Sequence, residues 1–136
     1  MANEAVIIEL LGNGGDPIRF TCADGTTIAK GTVLELTDPR TVKACSAANK
    51  PIAGIAAAEK VANDGATTIA AYTNGIFDMD IVAGGTSVLG ADVVSSGAGN
   101  EIDDFDTLDD ENGYVIGKSL ETGAASEKVA IRVRTL

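Results

Sequence analysis

A pattern of glycine-punctuated apolar segments occurs twice in this chain, and it constrains the fold more than any other feature. The first copy runs GTVLELTD (Gly31 to Asp38), PIAGIAAAE (Pro51 to Glu59) and TTIAAYT (Thr67 to Thr73). The second runs GADVVSS (Gly90 to Ser96), YVIGKSLE (Tyr114 to Glu121) and KVAIRVRT (Lys128 to Thr135). Each copy holds a glycine-led segment, a Gly-centred apolar segment ending in a glutamate, and an alternating closing segment. Apolar residues at period two mark a strand with one buried face. Turn signals such as Asp24-Gly25, Asp38-Pro39, Asp64-Gly65, Asn74-Gly75 and Asn112-Gly113 punctuate the chain about every eight to twelve residues, as in barrels and sandwiches. The expectation is an all-β protein: a small β-barrel or β-sandwich-like domain of short strands with little helix and an extended N-terminal arm. A repeat of strands and turns with no chemistry in it points to a building block rather than a catalyst.

Several local readings follow. Ile52 to Ala58 is a continuous run of small apolar residues, the pattern of a strand buried on both faces. Thr68 to Tyr72 and Ile76 to Ile81 flank Asn74-Gly75, which predicts a hairpin between them. Phe77, Met79 and Ile81 fall on one face of that second strand, Asp78 and Asp80 on the other. Gly31, Gly54, Asn74, Gly75 and Gly117 are read as structural turn residues. The repeat spans about residues 28–81 and 87–136 within one β-rich domain, 17–136. Residues 1–16 stand apart as an arm, an apolar segment followed by the Gly-rich GNGG. The arm has two readings, a first strand of the barrel or an extension that lies across a partner or adds to its sheet. On the second reading Val6, Ile7, Ile8, Leu10 and Leu11 make contacts outside their own domain.

The residue inventory excludes much catalysis. There is no histidine, so Ser-His-Asp and Cys-His constellations cannot form, and no Cys/His zinc set exists. No catalytic residue, cofactor site or metal site is assigned. The run Asp103, Asp104, Asp106, Asp109, Asp110, Glu111 departs from the EF-hand pattern, with Leu108 and Asp109 where a ligand and a glycine belong. It is read as an exposed acidic loop, with a metal-dependent hydrolase built on it as the enzymatic alternative. The Gly-rich stretches lack the phosphate-loop pattern.

Twenty Asp and Glu against ten Lys and Arg give a net charge of −10. Nucleic acid is therefore not an expected partner, since phosphate neutralisation needs clustered bases. No stretch has the ~20 apolar residues of a membrane span, and the start lacks the basic and apolar regions of a signal peptide; synthesis in a cytoplasm is expected. Arg132 and Arg134 lie in phase with Lys128 on one face of the last strand. They are read either as protection of an edge strand or as an intersubunit salt bridge to an acidic loop such as 103–111 of a neighbour. Cys22 and Cys45 are read as buried small apolar residues; their spacing gives no argument for a disulfide and does not exclude one.

Taken in order, IAKGTVLEL, KPIAGIAAAE, DGATTIAAYTNGIFDM, GADVV and GYVIGKSLETGAASEKVAIRVRTL resemble the small capsid decoration, or cement, proteins of tailed bacteriophages. That family shows a GTVL segment, a GIA strand, a Thr-rich strand into T-x-G-I-F, and IGxALE leading to a VxVRV-like end. Gly31, Gly54, Gly75, Gly117 and Glu121 occupy the matching places, and the likeness spans about residues 17–136. Lys118-Ser119 departs from it, where small apolar residues are more usual. The resemblance implies a β-barrel-like domain that trimerises on the outer surface of the capsid, binds the major capsid protein where several subunits meet and stabilises the shell. It carries over no catalytic residue. A β-rich tail, fibre or baseplate domain of a phage virion is the alternative.

Overall fold

The computed structural model describes residues 3–11, 17–97, 99–106 and 112–135. Among the described residues there are eleven strands: β1 (Val6–Glu9), β2 (Ile18–Thr21), β3 (Val33–Asp38), β4 (Thr41–Ala44), β5 (Ile52–Ala56), β6 (Thr68–Tyr72), β7 (Asn74–Ile81), β8 (Asp92–Ser95), β9 (Glu101–Asp104), β10 (Val115–Ser119) and β11 (Lys128–Arg134). The helical content among the described residues is one short 3-10 turn, Asn112–Tyr114.

These strands close two five-stranded barrels where the sequence led us to expect one. The first has the order β2-β4-β3-β5-β6, and the second closes as β7-β9-β8-β10-β11. The connectivity is the same in both, including one parallel pair, β2 with β4 and β7 with β9. Equivalent backbone bonds recur: Gly31 N–H to the Ala56 carbonyl and Gly90 N–H to that of Ser119, Ala57 N–H to Ala70 and Leu120 N–H to Ala130. Arg40 and Asn100 hold matching positive φ values, 53° and 58°, in the loops before β4 and β9. Closure leaves few free strand edges.

The two barrels meet through the outer face of the first. Leu34, Ala53 and Ala56 point into the first barrel with Phe20, Ile28, Val42 and Ile69. Their neighbours Val33, Ile52 and Ile55 join Phe77, Met79, Ile116, Ile131 and Val133 of the second barrel in one buried cluster. Strand β5 is thus buried at every position, which explains its unbroken apolar run. Tyr72 adds a tilted ring contact to Phe77 with centroids 5.8 Å apart.

Three sequence readings are corrected. Asn74-Gly75 makes no hairpin: β6 closes the first barrel, and β7 opens the second by pairing with β11 and β1. Gly75 sits in a strand at φ 140°, crowded by the Glu9 carbonyl and the Phe77 ring, so its lack of a Cβ admits a neighbouring strand rather than a turn. Gly54 and Gly117 likewise lie inside β5 and β10. A Cβ on either would collide with the carbonyl oxygen of Tyr72 or Arg132 on the adjoining strand. Gly31 is the one of the five found in a turn, at φ 89°. Finally, the acidic run does not begin as a loop, because Asp103 and Asp104 end strand β9. Asp109, Asp110 and Glu111 lie outside the described residues.

Candidate functional site

The described part of the arm, residues 3–11, is tied to its own chain. Strand β1 pairs antiparallel with β7, with an irregularity at Ile8. Ile7 and Leu10 pack against the buried cluster, while Val6 and Ile8 point to solvent; Leu11 is half-buried. Just upstream, Ala5 is buried and donates its N–H to the Gly31 carbonyl at 2.8 Å. Gly31 permits this approach, since a Cβ there would lie 2.7 Å from both the Ala5 carbonyl oxygen and the Glu4 Cβ. The arm residues read as outward contacts are therefore divided: Val6 and Ile8 are available, whereas Ile7 and Leu10 belong to the protein's own packing.

Asn100 is the clasp of this region and was not singled out from the sequence. It is 4% exposed. Its Oδ1 accepts from Val33 N–H at 2.7 Å, and its Nδ2 donates to the carbonyls of Asn3 at 2.7 Å and Gly31 at 3.1 Å. One side chain from the second barrel thus joins the first barrel and the arm. Its φ of 58° falls in the left-handed region that Asn tolerates better than most residues. A lone Asn at the end of a Gly-rich turn gives no sequence signal for such a role.

The basic residues collect on the outer face of β10 and β11. Lys118, Arg132 and Arg134 line a shallow groove of about 270 Å³ with Asp92, Val115 and Gly117. Lys118 pairs with Asp92 at 3.3 Å, and Lys128 with Asp80 at 3.0 Å. Arg132 donates to the side-chain oxygen of Asn74, and Arg134 is exposed. The edge-protection reading fails, because β11 is flanked by both β7 and β10. Ser119, where the family resemblance was weakest, is buried and hydrogen-bonded to Ser87 at 2.6 Å, with Lys118 facing out.

Asp103 and Asp104 of the acidic run serve the fold. Asp103 accepts from the Thr86 and Asp104 N–H groups, and Asp104 from the Thr86 hydroxyl and Val88 N–H. Among the described residues no three His, Cys, Asp or Glu side chains converge as a metal site, and no helix is long and apolar enough to cross a membrane. Cys22 and Cys45 are free thiols in separate buried clusters. Burial pushes both above the usual thiol range, which keeps them protonated and unreactive.

The described structure is thus two closed barrels with a docked arm and charged outer faces. The chain belongs to the phage cement protein family, whose model matches residues 12–135. It is thus a structural component of a phage virion, associated with the head. Among solved structures, the fold is similar to the head fibre gp8.5 N base of bacteriophage phi29, with a TM-score of 0.55 and 15% identity over 88% of this chain and 96% of that one. No curated protein matches the chain.

Proposed function

We propose that this protein is a non-enzymatic capsid decoration protein. It binds the outer surface of the assembled head at junctions between major capsid protein subunits and stabilises the shell, acting as a homotrimer. Residues 17–136 form the decoration domain and residues 1–16 the arm. The observation that carries the proposal is the family match over residues 12–135, which takes in both barrels. The physics agrees, because a cement needs a rigid body and many modest contacts multiplied by symmetry. The contacts proposed are exposed Val6 and Ile8 of the arm together with Arg132 and Arg134. Heads stripped of the protein should stay intact but disrupt at lower temperature, with stability restored on adding it back. Full heat stability of stripped heads would contradict the proposal. Deleting the arm is a poor test of its contacts, since Ala5, Ile7 and Leu10 would leave the protein's own core; Val6→Ser with Ile8→Ser keeps that core. Loss of head binding by a folded double variant supports the arm contact, and unchanged binding removes it.

A second reading, a part of a fibre mounted on the virion, draws on the fold shared with a head fibre base. Copy number separates the two.

A further inference from the structure

We infer that the turn Val88-Leu89-Gly90, with Leu120 beside it, is a docking site for an extended segment of a head protein: a small apolar residue in a basic sequence. This rests on the reading of the chain as a head-bound protein. The turn is the counterpart, in the second barrel, of Ala29-Lys30-Gly31 in the first. The equivalence is fixed by the backbone: Gly31 N–H bonds to Ala56 and Gly90 N–H to Ser119, and the Thr32 and Ala91 carbonyls accept from Ala56 and Ser119 in return. Both glycines take the same left-handed conformation, at φ 89° and 83°.

The two turns differ in what lies on them. In the first barrel an extended segment, Glu4-Ala5, is seated over Gly31, its N–H bonded to the glycine carbonyl and the Ala5 methyl buried. In the second, nothing lies within 4 Å of a Cβ built on Gly90. Its carbonyl accepts from Lys118 Nζ at 3.1 Å, an exposed flexible donor that an incoming N–H can replace. The flanking residues change in the same sense. Ala29, Lys30 and Ala57 of the first barrel become Val88, Leu89 and Leu120, which are 51%, 65% and 42% exposed. These three large side chains stand on two adjoining segments, joined by Gly90 N–H to the Ser119 carbonyl and by Leu89 N–H to Thr122 Oγ1 at 3.0 Å. Such a cluster on an otherwise charged surface marks an interaction site.

The occupant follows by charge and by elimination. Each copy's N-terminal segment is already seated on its own Gly31, so a second copy has none to spare. Residues 74–136 carry twelve Asp and Glu against four Lys and Arg, so the second barrel attracts a basic chain. An extended strand with basic flanks and a small apolar residue, presented by a head protein, meets both conditions.

The test is co-sedimentation with undecorated heads of the phage that encodes the protein. The variant Val88→Ala, Leu89→Lys, Leu120→Ala installs the residues the first barrel carries at these places, so the turn retains a backbone that the same residues already support. Val61→Lys, which adds the same charge at an exposed apolar residue of the first barrel, is the matched control. The triple variant should bind heads at least about tenfold more weakly, with an unchanged melting temperature and with the control binding like wild type. Equal binding by wild type and the triple variant overturns the docking site while the head-bound reading stands. Failure of the wild type to sediment with heads overturns that reading and the inference with it. A folded control as weak as the triple variant also overturns the site, since any apolar loss would then have the same effect.

Discussion

Asn100 offers the sharpest test of how the two barrels and the arm are held together. Replacing it by glycine keeps the left-handed backbone at φ 58° and removes three hydrogen bonds. The Gly31 carbonyl keeps a partner in Ala5 N–H, so its loss is small. Val33 N–H, on a residue with no exposed surface, is left without one. A buried donor orphaned in this way costs about 1–3 kcal/mol, and each remaining bond about 1 kcal/mol net. The total is about 3 kcal/mol, equivalent to a fall of roughly 10 °C in melting temperature for a chain of this size. Asn100→Ala should cost about 1 kcal/mol more, because a Cβ disfavours the left-handed region. Denaturant midpoints give both numbers. Hydrogen exchange at Ala5 N–H should also accelerate in Asn100→Gly under conditions where the barrels remain folded, since the arm loses its clasp at Asn3. An Asn100→Gly variant as stable as wild type, or an alanine variant more stable than the glycine one, would refute the reasoning.

Other perturbations follow from the same coordinates. Gly117→Ala and Gly54→Ala should each cost about 3 kcal/mol in thermal unfolding, since a backbone carbonyl blocks the new Cβ; Gly113→Ala, with open space around it, should melt like wild type. Both cysteines should resist thiol reagents until the protein unfolds, and a native protein that labels at once would contradict their burial. Asp64 is held below the usual carboxylate range, first by the Ala66 N–H and then by Lys60 and the Val61 N–H. Its contribution to stability is therefore complete above about pH 4 and is lost as pH falls through its lower folded pKa. Asp64→Asn should be less stable than wild type at pH 7, by a margin that shrinks as pH falls below about 4; a margin unchanged at acid pH would contradict this.

The strands with apolar side chains were legible in the sequence, and those with polar ones were not. The alternation in Lys128–Arg134 and the unbroken run in Ile52–Ala56 report burial directly, on one face and on two. Strand β9, Glu-Ile-Asp-Asp, offers one apolar residue and reads as a loop; it is a strand because Ile102 faces the core and its backbone pairs with β8 and β7. Asn74-Gly75 misleads for a related reason. It carries the local chemistry of a two-residue turn, but the chain at that point passes from one closed barrel to the next, and tertiary pairing decides the geometry. Of the candidate surface, the arm's apolarity was visible while its division into inward Ile7 and outward Val6 and Ile8 was not, because all three are large apolar residues and the sequence shows no contrast between the faces. Asn100 and the exposed turn at Leu89 gain their meaning from contacts distant in sequence, which a period along the chain does not encode.

The central claim is that this protein coats a phage head and strengthens it. The most direct measurement is the number of copies bound per head at saturation, made together with the temperature at which decorated and stripped heads disrupt. The account predicts on the order of hundreds of copies, as many equivalent junctions on a symmetric shell require, and a higher disruption temperature for decorated heads. A handful of copies per particle, or identical disruption temperatures at full occupancy, would contradict it.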